Sequence, residues 1–185
     1  MKNKNIFILL AIALTTLNVQ AQKRAIENGV IEWKGSKITT DSHEGTIAIS
    51  EGSLQFNGAT LTSGSITVDM NTIVCTDLSG KYADKLVGHL KSDDFFGVAE
   101  HPKASLVFTS AVPTQGGYKV TGDFTIRGIT HPETFILKLD ESSATTSLEI
   151  DRSKYDVKFH SGSFFEDLGD KLINDELELR VSFTY

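Results

Sequence analysis

The chain has 185 residues, with 18 Lys and Arg against 24 Asp and Glu, a net charge of −6 and one cysteine, Cys75. An acidic chain is a poor match for nucleic acid or anionic headgroups, and a single cysteine excludes an internal disulfide. A domain of this size can bury about 68–70% of its unfolded surface, so it holds a core without staples.

In chain order, Lys2 and Lys4 precede an apolar run from Ile6 to Leu17, and Val19-Gln20-Ala21 follows, the pattern of a secretory signal peptide cut after Ala21. The run is shorter than the roughly 20 residues that span a bilayer. No cysteine stands at the cut to carry a lipid. The expectation is a periplasmic or secreted soluble protein, with residues 1–21 as leader and residues 22–185 as one domain. Losing Lys2 and Lys4, and no acid, takes the charge from −6 to −8.

From Trp33 the apolar residues recur every second position, as in half-buried antiparallel strands. Ile47, Ile49, Leu54 and Phe56 alternate first, then Ile66, Val68 and Met70. The pattern returns at Leu106 and Phe108, through Val120 to Ile126, at Phe135, Leu137 and Leu139, and at Tyr155, Val157 and Phe159, and it ends in Leu177 to Tyr185. Asn57-Gly58, Ser63-Gly64 and Gly116-Gly117 read as turns between strands. One segment differs: Tyr82, Leu86 and Leu90 recur every four residues, which predicts a helix over 78–91 laid on the sheet by that stripe. Asp77 or Ser79 is expected to cap its start, and Ser92 with Asp93 and Asp94 to open a second short turn. The fold class is therefore mainly β: an antiparallel sandwich or barrel of about eight strands with one packed helix.

The segments HLKSDDFF (89–96), HPKASLVF (101–108), GDFTIRGITHP (122–132), IDRSKYDV (150–157) and SGSFFEDLGDKLIND (161–175) resemble, in letters, order and spacing, the YceI-like, polyisoprenoid-binding family. The resemblance covers nearly all of residues 22–185. It implies a lipocalin-like barrel holding an extended isoprenoid or quinone-like chain in an elongated apolar interior, for transport, storage or sensing. One departure is Asp156, where the family often has glycine.

Catalytic and metal chemistry find little support in the sequence. His43, His89, His101, His131 and His160 lack the spacing of paired ligands on a strand or helix, so no metal and no cofactor is expected. The bland reading has His89 bonding the last carbonyls of the helix, and His101 and His131 in turns before prolines. SGSITV and SGSFF lack the second glycine of a nucleophile elbow, and no catalytic residue is assigned. Cys75 is expected to be a buried strand thiol, without the basic neighbours that would activate it. Asp151, Arg152 and Arg127 adjoin apolar strands. An ion pair locking the barrel end near GDKLIND is the structural reading, and head-group contact by Arg127 and Arg152 the functional one.

The bulky residues on one parity of each strand are the candidate ligand-binding wall: Trp33, Ile47, Ile66, Val68, Phe108, Phe124, Phe135, Leu137, Val157 and Phe159, with Phe95 and Phe96 closing one end. Periodicity alone leaves a filled interior and a ligand-holding one equally open. The preferred reading is an exported lipid-binding protein. An enzyme acting on a lipid or small amphiphile in the same cavity is the alternative. A membrane-spanning barrel suggested by LELRVSFTY is weaker, since the chain has one tryptophan and no aromatic girdles. The oligomeric state stays open, a homodimer among the alternatives.

Overall fold

The computed structural model describes residues 21–39 and 41–185. The predicted leader lies outside them apart from Ala21. The strands are β1 (Ala21–Ala25), β2 (Asn28–Ser36), β3 (Ser42–Asn57), β4 (Thr60–Asp69), β5 (Val74–Cys75), β6 (Lys103–Thr114), β7 (Gly117–Ile126), β8 (Ile129–Leu139), β9 (Ser143–Asp151) and β10 (Glu176–Thr184), with one α-helix, α1 (Lys81–Lys91), among the described residues. Eight strands close an antiparallel barrel in the order β3-β2-β10-β9-β8-β7-β6-β4, and β4 returns to β3. Closure removes the free edges that an open sheet would expose. β1 and β5 lie outside the circuit, each paired to β3.

β3 makes closure possible, because its first half pairs with β2 and its second with β4. A bulge at Ser50, between the pairs Ile49↔Val68 and Glu51↔Thr67, resets its parity. Hence the inward residues are Gly45 and Ile47 before it but Leu54 and Phe56 after it. Two glycines are set by close approach. A side chain at Gly45 would meet the Trp33 ring at 2.6 Å, and one at Gly64 the Phe108 ring at 2.7 Å. Ser63-Gly64 is therefore the interior of β4, not a turn.

The two barrel ends differ. The tight turns after β3, β6 and β8 share one end with the last residues of β10. Phe56 and Tyr185 stack there at 5.7 Å under the Arg24 guanidinium, which lies 4.9 Å from the Phe56 ring. The opposite end carries the β2–β3 turn, α1, the 92–102 segment and the 152–175 segment.

Several local expectations are corrected. The alternation Tyr155, Val157, Phe159 is no strand: Arg152–Tyr155 forms a 3-10 turn, and the Asp151 carboxylate accepts from the Ser153 amide at its start. Asp156 then takes a left-handed conformation, φ 61°, which ends any extended run. Its side chain is exposed and pairs with Lys158 at 2.7 Å. A left-handed residue explains why glycine suits this position. Asp156→Gly is expected to be neutral or to stabilise by up to about 1 kcal/mol, and Asp156→Val to destabilise, as read from urea midpoints.

α1 starts at Lys81 after Gly80, without a side-chain cap from Asp77 or Ser79. Leu90 is buried and Leu86 half-buried against the barrel, but Tyr82 is exposed, since the first turn overhangs the sheet. Ser92 does open the expected short turn, its carbonyl accepting from the Phe95 and Gly97 amides at 3.0 and 2.9 Å. Its hydroxyl donates to the His89 carbonyl and closes α1, while Asp93 and Asp94 remain exposed. β9, β1 and the start of β2 are strands that the alternation had not marked.

Candidate lipid-binding cavity

Alternation in a closed barrel turns one parity of every strand inward. Here the inward side chains do not fill the space. They surround a cavity of about 1540 Å³ of empty volume, counting the space at its mouth. Ile31 and Trp33 line it from β2, Ile66 and Val68 from β4, Phe135 and Leu137 from β8, Leu177, Leu179, Val181 and Phe183 from β10, and Leu86 and Leu90 from α1. Ser36, Lys37, Asp41, Ser42 and His43 on and beside the β2–β3 turn gather most of its polar lining and mark the mouth. Trp33 Nε1 and Thr146 Oγ1 are buried without hydrogen-bond partners and so add no polar surface to the wall.

Of the predicted wall, Trp33, Ile47, Ile66, Val68, Phe95, Phe96, Phe108, Phe124, Phe135 and Leu137 border the cavity. Val157 and Phe159 do not: Val157 is fully buried, and Phe159 packs behind Phe95 with ring centroids 5.6 Å apart. Ile31, Leu148, Ile150, Leu179 and Phe183 also border the cavity, and the wall inferred from the sequence lacked them. The β10 residues were legible by their alternation. β9 was not, because Ala144 and Thr146 weaken its apolar signal.

Both candidate arginines bind the closing segments together. Arg152 is buried, and its Nε, Nη1 and Nη2 donate to the carbonyls of Asn174, Val157, Phe159 and Ile173 at 2.9–3.1 Å. Nη2 also lies 3.2 Å from Asp175 Oδ1, an ion-pair contact. Four of its five N–H groups thus donate to backbone carbonyls, and its charge faces Asp175, so the guanidinium is committed to the fold. The partner is Asp175, within GDKLIND, whereas Asp151 caps the 3-10 turn. Arg127, at φ 50°, donates from Nη1 to the carbonyls of Asp93 and Phe95. Phe95 is thus fixed by its own backbone and by its ring, which lies 5.7 Å from the Arg152 guanidinium and 5.0 Å from the His89 ring. His89 stands edge-on to Phe95 and Phe159 and does not bond the helix carbonyls.

At the mouth, Asp77 ties β5 to β3. One carboxylate oxygen is 2.8 Å from His43 Nδ1, and the other accepts from the Cys75 thiol and the Glu44 amide. Burial would raise this carboxyl, but the hydrogen bonds from His43, Cys75 and Glu44 outweigh it and hold it at about 2, below the usual 3.8. Burial and the neighbouring carboxylate push the Cys75 thiol up. Cys75 is only half-buried, on the two-residue β5. A depressed carboxyl stabilises the fold above its unfolded value and loses that contribution as pH falls through the folded one. The stability difference between wild type and Asp77→Asn is therefore expected to hold above about pH 4 and to shrink toward pH 2. A difference unchanged at pH 2 would contradict the contact.

Among the described residues, no three His, Cys, Asp or Glu side chains stand close enough to hold a metal, and no helix is long and apolar enough to cross a membrane. The YceI-like domain matches residues 18–185. The chain belongs to the YceI-like family. Curated relatives are UPF0312 proteins. One from Pseudomonas putida is 32% identical over 112 residues, 59% of this chain and 55% of its own length. One from Staphylococcus aureus is 39% identical over 83 residues, 39% of this chain and 46% of its own length. The matched part thus spans about half of these relatives. Burkholderia cenocepacia BcnA shares the fold at TM-score 0.63 and 22% identity, over 84% of this chain and 96% of that one. So does a polyisoprenoid-binding domain from Saccharophagus degradans implicated in plant cell wall breakdown, at TM-score 0.59 and 14% identity, over 87% and 96%.

Proposed function

We propose that this YceI-like protein is exported and holds an isoprenoid or similar long-chain apolar lipid, quinone-like compounds included, in its barrel, for transport, storage or sensing. The observation that carries the reading is the cavity: a closed eight-strand sheet either fills its interior with side chains or holds one small ligand, and here a cavity remains behind an almost wholly apolar wall. The polyisoprenoid-binding description of a fold neighbour supports it, as does the signal-peptide pattern in residues 1–21.

The magnitudes suit such a ligand. At about 0.8 kcal/mol per buried carbon, a five-carbon isoprene unit gains at most roughly 4 kcal/mol. A few enclosed units offset the cost of ordering a flexible chain. Binding of this kind requires no acid, base or metal. Titrating the protein with a fluorescent isoprenoid alcohol tests the reading. Saturable binding, unaffected by a strong chelator, is expected; absence of binding, or binding only after zinc is added back, contradicts it.

A further inference from the structure

The apolar side chains left outside the barrel cluster at its mouth. Ile38 on the β2–β3 turn is 62% exposed, and Phe164 and Phe165 on the 161–168 segment are 42% and 49% exposed. These segments are joined: the Ile38 amide donates to the Leu172 carbonyl at 3.0 Å, and Leu172 packs on Gly162, 3.1 Å from where a Cβ would stand. Their neighbours Lys37 and Ile173 line the cavity, so this apolar rim and the mouth are one structure. Tyr82 on the overhanging turn of α1 is 65% exposed at the same end. By contrast, the exposed Val107, Val112 and Ile136 lie on β6 and β8.

Resting on the carrier reading above, we propose that Ile38, Phe164 and Phe165 form a docking rim that dips into the surface of a lipid bilayer of net-neutral headgroups, bringing the mouth to where a water-insoluble ligand resides. Two observations favour a bilayer over a protein. Three partly exposed side chains offer on the order of 250 Å², well short of the roughly 800 Å² per side of a stable protein interface. A lysine also flanks the apolar tips, as in segments that insert shallowly: Lys158 Nζ stands 5.3 Å from the Phe164 ring centroid. The charge excludes electrostatic capture. Segments 36–42 and 156–173 carry Lys37, Lys158 and Lys171 against Asp41, Asp156, Glu166, Asp167 and Asp170, so acidic lipid offers no gain.

Flotation with phosphatidylcholine vesicles tests the rim. Wild type is expected to float with them, and the double variant Phe164→Ser/Phe165→Ser to bind at least about tenfold more weakly, with no increase when a quarter of the lipid is phosphatidylglycerol. Transfer of a fluorescent isoprenoid alcohol out of vesicles should slow in the variant, while uptake from dilute detergent stays at the wild-type level. Since both residues are solvent-exposed, unchanged melting will show the variant is folded. Phe165→Trp gives a positive readout, a blue-shifted emission on adding vesicles. Equal transfer by variant and wild type, binding that requires anionic lipid, or a dimer that the double variant breaks would each overturn the docking surface. Failure of wild type to take up the probe in either format would overturn the carrier reading instead, and flotation would still decide the rim.

Discussion

Replacing Arg152 by methionine is expected to cost about 3–5 kcal/mol of folding stability, a large part of the roughly 5–15 kcal/mol that holds a domain together. The side chain is fully buried, and its removal strands the carbonyls of Val157, Phe159, Ile173 and Asn174 and one oxygen of Asp175. Ser161 and Ser163 still donate to the other oxygen of Asp175, so a carboxylate remains held in place without its cation. The double variant Arg152→Met/Asp175→Leu should recover part of the loss, because removing both charges avoids the unpaired one. Urea unfolding of the three proteins checks this. A loss under about 1 kcal/mol for the single variant would mean that the clasp does not join the 152–175 segment to the barrel.

The second large effect concerns the cavity wall. Phe108 is buried with its ring 6.1 Å from Phe135 and against Gly64, so Phe108→Asp places a carboxylate in an apolar wall and is expected to abolish isoprenoid uptake. It will also lower stability, which makes a companion necessary. Ile66→Trp adds bulk without charge. In a filled core such overpacking costs about 1–3 kcal/mol; projecting into empty space it should leave melting nearly unchanged and still reduce uptake severely. His101→Gln, off the wall, should bind nearly normally. A stable Ile66→Trp that takes up lipid like wild type would contradict the placement of the ligand.

Much of this was legible because burial in a closed barrel imposes alternation. Ile66 and Val68, and Phe135 and Leu137, are large apolar residues on one parity, and they stand on the wall. The parity change between Ile47 and Leu54 was visible too, and the Ser50 bulge is its cause. What the sequence hid has equally physical reasons. Tyr155, Val157 and Phe159 mimic a strand because a 3-10 turn followed by a left-handed Asp156 also sends alternate residues inward. Tyr82 continues the 86 and 90 stripe, but no barrel wall lies beneath the first turn. β9 alternates through Ala144 and Thr146, too small or polar to register. The role of Arg152 depends on carbonyls some twenty residues away, and the Asp77–His43 contact on a pairing of β5 with β3; neither long-range meeting has a local signature. The arginines were conspicuous as charges beside apolar strands, but their carbonyl partners belong to the fold.

The most direct test of the central claim is mass spectrometry of an organic extract from protein purified gently without detergent. A long, apolar lipid of isoprenoid or quinone type is expected, near one molecule per chain, and it should disappear from Phe108→Asp and Ile66→Trp prepared in the same way. A wild-type extract without lipid, or one whose lipid persists undiminished in both wall variants, would contradict it.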